Sequence, residues 1–514
     1  MQIGQQMAMV FNMDKCLGCN TCTVACKNIW TNREGAKYMF WNNVETKPGI
    51  GYPKEWENQE EYRGGWVLTG KKSKPLRLRI APKWLELVNL FYNPHQPEMK
   101  DYVGDTGTYT FTYEDLHSPE GLTQQPVARP KSEVTAEENV KPNWGVNWED
   151  NAAGANVTGH WDVNFDDISK EEKEALLQYQ DSFMIYLPRI CNHCANPACV
   201  GACPSGAAHK REEDGVVLID QDRCRGWRYC VSACPYKKPY YNWRSGKMEK
   251  CLLCYPRLEA GQPPACFHAC PGRIRYMGPI MVDEDRVMEA ATADEADLVS
   301  AQRSIVLDPH DPKVIKQAKK QGISDSWLEA AKRSPVYRMF VEWEIALPLH
   351  PEFRTVPSLF YIPPESPVAS VLDEGERRSA TDSDSVLPTL DNFRVPVKYL
   401  ASMFSAGNVD EVKTALNRQL ALRRYRRSIR VDGDPDLEVL EQSGLTEEDA
   451  QDMHRLLSLA FLDERFVVPT TRREKDRDTS PFIERGFTGF GQMNPHDMKR
   501  REYMHVDLQG DQVI

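Results

Sequence analysis

The sequence has no run of about 18 apolar residues, which excludes a membrane-spanning helix. Its first residues have neither a basic start nor an apolar core, so we expect no cleavable export signal. It also lacks the P-loop, G-x-G-x-x-G and H-E-x-x-H patterns, which argues against nucleotide-binding and zinc-protease sites of those types. The formal net charge of −11 argues against nucleic acid as a partner.

Cysteine is absent outside four short runs, which together hold all fifteen cysteines of the chain. The runs are Cys16-x2-Cys19-x2-Cys22-x3-Cys26, Cys191-x2-Cys194-x4-Cys199-x3-Cys203, Cys224-x5-Cys230-x3-Cys234 and Cys251-x2-Cys254-x11-Cys266-x3-Cys270. An odd count in a long chain without an export signal argues against a disulfide framework. The spacing is typical of iron–sulfur clusters, because one tight loop can then deliver successive thiolates to different irons. In two-cluster ferredoxins the last cysteine of such a run ligates the other cluster.

The third run lacks one cysteine, and Trp227 occupies the position that two C-x-x steps would assign to it. Indole nitrogen is only a donor and cannot bind iron. Fifteen thiolates therefore suit three [4Fe-4S] clusters and one [3Fe-4S] cluster beside Trp227. Two alternatives remain: Trp227 as a core aromatic beside an ordinary four-iron cluster, and a non-redox scaffold that uses C-x2-C pairs for structural zinc.

We predict an α+β fold with two bacterial-ferredoxin-like modules, a long loop-rich insert and a mainly helical C-terminal region. The second and third runs are expected to form one module, and the first and fourth runs the other. The predicted segments are residues 1–30 (first run), 31–181 (loop-rich insert), 182–213 (ferredoxin-type segment), 215–244 (ferredoxin-type segment with the three-iron site), 245–285 (fourth run), 286–466 (helical partner-docking region) and 467–514 (extended tail).

Hydrophobic patterns and capping residues predict several elements. A strand is expected over residues 216–220, and helices over residues 170–181, 311–321, 325–332, 409–425 and 446–462. Asp325 and Thr446 are the expected N-caps of two of these helices. Residues 347–367 are apolar and proline-rich, which suits either a partner-docking strap or ordinary core packing. Residues 373–388 are acidic and serine-rich, which predicts an exposed loop.

Several polar residues lie inside or beside the cysteine runs. His193 and His268 are expected to hydrogen-bond near the clusters, since the cysteines already complete the ligand count. Four cations flank predicted ligands and would either offset cluster charge or be solvated: Arg225, Arg228, Lys247 and Lys250.

These residues resemble the beta, or iron–sulfur electron-transfer, subunit of membrane-bound respiratory nitrate reductase. That family belongs to the iron–sulfur subunits of molybdenum enzymes. Beyond the cysteine runs, the resemblance rests on Asn42-Asn-Val-Glu-Thr-Lys-Pro-Gly49, Gly64-Gly-Trp66, Glu259-Ala-Gly-Gln-Pro263, Leu347-Pro-Leu-His-Pro351 and Arg465-Phe-Val-Val-Pro469. The cysteine runs are shared by several such subunits, whereas the long C-terminal half favours the nitrate reductase type.

The resemblance implies four ligand sets, each named here by its first cysteine. The Cys16 set (Cys16, Cys19, Cys22, Cys270), the Cys26 set (Cys26, Cys251, Cys254, Cys266) and the Cys191 set (Cys191, Cys194, Cys199, Cys234) would each hold a [4Fe-4S] cluster. The Cys203 set (Cys203, Cys224, Cys230) would hold the [3Fe-4S] cluster beside Trp227.

The resemblance also implies partners. A cytochrome b membrane subunit would pass quinol electrons to the three-iron cluster. The clusters would relay them to a large catalytic subunit, where nitrate becomes nitrite. Haem b and the molybdenum bis-guanine-dinucleotide cofactor are expected only in those subunits. The chain itself is expected to have no catalytic residue and to bind neither nitrate nor quinol.

Substrate and direction depend on the catalytic partner, so a nitrite oxidoreductase or a reductase of another oxyanion remains an alternative. Cluster insertion needs reduced thiolates, which indicates assembly in the cytosol. We therefore expect a peripheral position on the cytoplasmic face of the cell membrane. The alternative is the outer face, reached by export together with a signal-bearing partner.

Overall fold

The computed structural model describes residues 1–53, 55–72, 75–80, 162–166, 168–178, 185–365 and 396–469. The predicted acidic loop at 373–388 and most of the predicted tail at 467–514 lie outside the described residues, as does much of the predicted insert. No helix in the described part of the chain is long and apolar enough to cross a bilayer.

The strands of the described ranges are mostly short, and they pair into one five-stranded sheet and four two-stranded sheets. In chain order they are β1 (Ile3–Asn12), β2 (Asn43–Lys47), β3 (Trp66–Leu68), β4 (Leu76–Leu78), β5 (Ile185–Arg189), β6 (Ala208–Lys210), β7 (Val217–Ile219), β8 (Tyr240–Tyr241), β9 (Met248–Glu249), β10 (Arg275–Asp283), β11 (Val306–Leu307), β12 (Leu347–Pro348) and β13 (Leu359–Ile362).

The five-stranded sheet has the order β11-β10-β1-β13-β12. Its centre is β1, which pairs antiparallel with β10 and parallel with β13. Alternate residues of a strand point to opposite faces. Met7, Met9 and Phe11 accordingly pack in the core that contains the first- and fourth-run cysteines, whereas Ala8 and Val10 pack in a second core with C-terminal helices. The sheet therefore separates two cores.

Strand pairing brings distant cysteine runs together. Phe11 at the end of β1 pairs with Arg275 at the start of β10, so the chain segments that carry Cys16 and Cys270 leave the sheet at the same edge. In the same way, Ala208 of β6 pairs with Ile219 of β7, which places the end of the second run beside the start of the third. The predicted strand at 216–220 is confirmed as β7.

The helices of the described ranges lie mainly after residue 286. In chain order they are α1 (Thr21–Cys26), α2 (Lys170–Gln178), α3 (Ala198–Gly201), α4 (Tyr229–Ala233), α5 (Tyr255–Glu259), α6 (Ala265–His268), α7 (Val287–Thr292), α8 (Leu298–Ser304), α9 (Pro312–Lys320), α10 (Asp325–Lys332), α11 (Pro335–Tyr337), α12 (Val397–Phe404), α13 (Val409–Arg427), α14 (Leu437–Ser443), α15 (Glu447–His454) and α16 (Leu462–Arg465).

Most predicted helices are present, with differences at their ends. The helices predicted at 170–181, 311–321, 325–332 and 409–425 correspond to α2, α9, α10 and α13. The helix predicted at 446–462 is α15, which continues as a π-helical turn, Arg455–Leu459, and ends at Ala460 because that residue is left-handed. Thr446 caps α15 as predicted, within a capping box.

One prediction needs correction, and one pair of alternatives is decided. The N-cap of α10 is Ser324, not Asp325, because the Ser324 hydroxyl accepts the Trp327 N–H while Asp325 is already helical. The segment at 347–367 is no strap within its described part. Its residues form β12 and β13 of the central sheet, and Leu347, Leu359 and Tyr361 are fully buried, which supports the core-packing alternative.

A buried ionic network joins the described insert residues to the C-terminal region. Lys47 contacts the carboxylates of Glu57 and Asp162, and Glu57 Oε1 lies 2.9 Å from His350 Nε2. On the other side of the ring, His350 Nδ1 lies 2.7 Å from Glu352 Oε1. Burial opposes the charge on His350, but Glu352 and Glu57 outweigh it and raise the pKa of His350 to about 9.

Replacing His350 with glutamine is expected to destabilise the protein at neutral pH but much less above pH 9. A raised folded-state pKa contributes stability that is complete below the unfolded value of 6.5 and is lost as pH rises through about 9. The contribution is at most about 3 kcal/mol. The measurement is the difference in thermal midpoint between the wild type and His350→Gln from pH 6 to pH 10. A difference that does not change with pH would contradict the assigned charge.

Candidate metal centre

The Cys16 set lines a cavity at the edge of the sheet where β1 ends and β10 begins. All four cysteines contribute to its wall, together with Lys15, Pro271 and Arg275. Cys22 is buried, whereas Cys19 is exposed. Leu17, between the first two cysteines, is 71% exposed. This cavity therefore opens close to the protein surface.

The Cys26 set lines a second cavity, and all four of its cysteines are buried. Trp30 and Trp41 stack with ring centroids 5.9 Å apart and form part of the wall. The Trp30 indole N–H donates to Cys254 Sγ at 3.2 Å, and the Leu253 backbone N–H donates to Cys251 Sγ at 3.3 Å. Donors of this kind stabilise sulfur that carries negative charge.

The Cys191 set comes together from the second and third runs. Burial raises the pKa of Cys194 strongly, and the neighbouring thiolates of Cys191, Cys199 and Cys234 raise it further. Lys250 reaches this set, because its ammonium lies 3.6 Å from Cys191 Sγ. Lys250 is buried, so its charge acts on that sulfur with little screening by water.

The Cys203 set packs in a small separate core that contains Cys224 and Cys230, with Cys203 against it. The backbone N–H of Met248 donates to Cys224 Sγ at 3.3 Å, and that of Ala208 donates to Cys203 Sγ at 3.4 Å. Each donor comes from a strand of the adjoining hairpins, β9 and β6 respectively. The hairpins thus supply N–H groups to these two sulfurs.

Trp227 lies in a loop whose backbone matches the loop around Cys19. Gly18 and Gly226, one residue earlier, have φ of +64° and +67°, and Asn20 and Arg228, one residue later, have φ of +55° and +66°. Trp227 thus occupies the backbone position of Cys19. It is 57% exposed, which contradicts the alternative that it is a core aromatic.

Electrostatic interactions between cysteines link each set to the next, and this series of sets is called the row. Burial raises the pKa of Cys266, and Cys22 of the Cys16 set is among the thiolates that raise it further. Cys191 acts in the same way on Cys251, whose pKa is about 12. Cys199 and Cys234 act on Cys230. The resulting order is the Cys16, Cys26, Cys191 and Cys203 sets.

The chemistry of the cysteine sets suits iron–sulfur clusters. In the residues that the structure describes, no three cysteine, histidine or acidic side chains converge as ligands of one metal ion. Cluster ligands each bind a different iron and therefore surround a space. Burial also raises the pKa of most of these thiols, and bound iron would offset the cost of holding them as thiolates.

The flanking polar residues divide into two groups. Lys247 donates to the Cys224 carbonyl at 2.9 Å and Lys250 approaches Cys191, whereas Arg225 donates to Asp222 on the surface. Arg228 instead stacks on Tyr241, 4.0 Å from the ring centroid.

His193 Nδ1 accepts the Val217 N–H, and neither His193 nor His268 hydrogen-bonds a cysteine among the described residues. Their predicted role near the clusters stays a prediction. Sequence reasoning did not identify Trp30 or Arg275, which also approach the cysteine sets. A single arginine at the start of an apolar strand was the available signal for Arg275.

Comparison with known proteins identifies the family. Residues 182–280 match a 4Fe-4S dicluster domain, and residues 366–447 match the C-terminal domain of the respiratory nitrate reductase beta chain. The chain is 50% identical to the nitrate reductase beta chain of Bacillus subtilis (strain 168) over 95% of this chain and 98% of that protein. It is 51% identical to the respiratory nitrate reductase 1 beta chain of Escherichia coli (strain K12) over 95% of this chain and 93% of that protein. The chain belongs to the nitrate reductase beta-chain family.

Membership of this family confirms the resemblance found in the sequence and makes the chain the iron–sulfur, electron-transfer subunit of an oxidoreductase complex. It leaves no support for a purely structural zinc scaffold.

More distant relatives act with other substrates. The chlorate reductase subunit beta of Ideonella dechloratans is 35% identical over 82% of this chain and 92% of that protein. The C-terminal domain match agrees with the sequence-based interpretation that the C-terminal half favours the nitrate reductase type.

Proposed function

We propose that this chain relays quinol-derived electrons from a cytochrome b membrane subunit to a large molybdenum subunit that reduces nitrate to nitrite. Three [4Fe-4S] clusters in the Cys16, Cys26 and Cys191 sets and one [3Fe-4S] cluster in the Cys203 set would supply one-electron chemistry when bound. The single observation that carries the proposal is the row of four cysteine sets in a chain about half identical to nitrate reductase beta chains.

Exposed side chains lie beside both ends of the row, where exchange with partners would take place. The Cys26 set is wholly buried, so it has no access to an external partner. Cys19 is exposed in the Cys16 set, and Trp227 and Tyr229 are exposed beside the Cys203 set. On the family pattern, the membrane subunit would dock near the Cys203 set and the catalytic subunit near the Cys16 set.

The chain's own residues would hold the clusters in position and tune them. Backbone N–H groups at Ala208, Met248 and Leu253 donate to cysteine sulfurs, as does the Trp30 indole. Such donors favour the more negative, reduced state and so raise reduction potential. Lys250 adds a buried positive charge between the Cys191 and Cys26 sets, since it contacts both Cys191 Sγ and the Cys251 carbonyl.

We place the chain at the membrane through its partners, on the cytoplasmic face. The outer face, reached by export with a signal-bearing partner, is the alternative. A nitrite oxidoreductase or another oxyanion reductase is the alternative for the reaction, and the 35% identical chlorate reductase subunit is the relative that keeps it open. The 50–51% identity to nitrate reductase chains favours nitrate.

The purified complex is expected to contain about 15 iron atoms per copy of this chain, beyond those of its partners. Low-temperature EPR should show a three-iron signal in the oxidised sample and interacting cubane signals after reduction. Quinol should drive nitrate reduction faster than chlorate or selenate reduction at equal concentration. Zinc in place of iron would contradict the cluster assignment, and an intact set of signals without nitrate reduction would contradict only the proposed reaction.

A further inference from the structure

Arg275 is a buried cation whose guanidinium has no hydrogen-bond partner among the described residues. It begins β10 and pairs with Phe11 of β1, which fixes its backbone at the edge of the sheet that carries the cysteine loops. Its side chain is completely buried. Its Nε, Nη1 and Nη2 atoms all lack a partner among the residues that the structure describes. The described part of the chain therefore buries a whole guanidinium group and supplies no acceptor for its donors.

The guanidinium lies between two of the cysteine sets. Arg275 lines the cavity of the Cys16 set. It interacts electrostatically with Cys16, Cys22 and Cys270 of that set and with Cys266 of the Cys26 set. Its other close neighbours are aromatic: the guanidinium carbon is 4.3 Å from the centroid of the Phe11 ring and 5.5 Å from that of Phe267.

An unpaired buried charge is costly, and contact with aromatic rings offsets only part of that cost. A guanidinium has five N–H donors in a rigid fork and requires acceptors nearby. The groups that can supply them here are the sulfurs around the two cavities. A cubane held by four thiolates carries net negative charge, so it supplies both the acceptors and the counter-charge that Arg275 lacks among the described residues.

We propose that Arg275 is a positioning residue that donates hydrogen bonds to the clusters of the Cys16 and Cys26 sets and thereby raises the reduction potentials of both. The inference rests on the proposed function, because it requires clusters in those two sets. A fixed positive charge stabilises a cluster more after it gains an electron than before. Arg275 would therefore act on two neighbouring clusters at once and leave the Cys191 and Cys203 sets unaffected.

The first test is an EPR-monitored redox titration of the purified complex carrying Arg275→Gln or Arg275→Lys. Glutamine should shift the one-electron reduction equilibrium of both neighbouring clusters at least tenfold toward oxidation, which is about 59 mV. Lysine keeps the positive charge but loses the forked N–H donors of the guanidinium, so the shift in reduction potential should be smaller than with glutamine. Arg303→Gln is the matched control, because Arg303 also lies over a phenylalanine ring, Phe340, and contacts no cysteine in the described part of the chain.

Unchanged potentials at both clusters would overturn the proposal, and so would an equal shift at all four clusters or the same shift in Arg303→Gln.

The second test does not depend on a variant that must fold. In wild-type complex labelled with [15N]arginine, pulsed EPR should detect 15N coupled to the reduced cluster of the Cys16 set. Absence of that coupling would also overturn the proposal. Iron counting of the wild type comes first, since missing clusters would refute the proposed function instead.

Discussion

Replacing Cys26 with alanine is expected to abolish quinol-driven nitrate reduction, with a loss on the order of 100-fold or more. The Cys26 set lies second in the row, and its contacts through Cys266 and Cys251 join the sets on either side. All four of its cysteines are buried, so no solvent-borne carrier can replace it. The same substitution should remove about four iron atoms per chain.

The measurement compares quinol-driven activity with activity from a reduced dye that donates directly to the catalytic subunit. Only the quinol-driven activity should fall, because electrons from the dye do not pass through the cysteine sets of this chain. Val24→Ala is the matched control, since Val24 is a partly buried residue of the same short helix, α1, and its side chain carries no ligand atom. Full iron content and full quinol activity in Cys26→Ala would show that Cys26 is not a required ligand.

Replacing Trp227 with cysteine is expected to convert the three-iron centre into a cubane. The loop around Trp227 already has the backbone conformation of the loop around Cys19, with left-handed residues on both sides. A cysteine there should therefore point toward the centre as Cys19 does. Trp227 is 57% exposed, so its removal leaves no buried cavity and should cost little stability.

The expected readouts are loss of the three-iron EPR signal, a gain of about one iron atom per chain and a lower potential at that centre. Trp243→Cys is the matched control. Trp243 is 58% exposed, packs against the Tyr241 ring and contacts Arg228, but it lies outside the cysteine loops. It should keep the three-iron signal. The same signal unchanged in a folded Trp227→Cys protein would contradict our placement of the missing ligand.

The predictions made from sequence were most accurate where local spacing decides the structure. The helix predicted at 325–332 has those bounds, and Thr446 caps its helix, because capping and periodicity act within one or two turns. The predicted N-cap of α10, Asp325, was wrong by one residue, because Ser324 caps that helix. Ser324 and Asp325 are adjacent cap-forming residues, and their order of preference is close.

The central sheet was not predicted. The long strand β1 was treated only as the start of the first cysteine run, although Met7 to Phe11 form a continuous apolar stretch that is typical of a strand buried on both faces. Its partners β10 and β13 lie more than 250 residues away in the chain. Local sequence patterns carry no information about such pairing, since the partner and register of a strand depend on which residues become buried in the folded protein.

By itself, the sequence determined the chemistry of this protein. It has fifteen cysteines in four runs, and the third run has Trp227 where a fourth cysteine would be expected. These are local properties, because the spacing of thiolates along one loop is set by the covalent chain. The sequence also predicted which runs meet, but only the tertiary structure decided the strand pairing that brings them together and the burial of Arg275 between two of the sets. Those features depend on non-local strand pairing. Phe11 and Arg275, for example, are 264 residues apart in the chain but pair at one edge of the sheet.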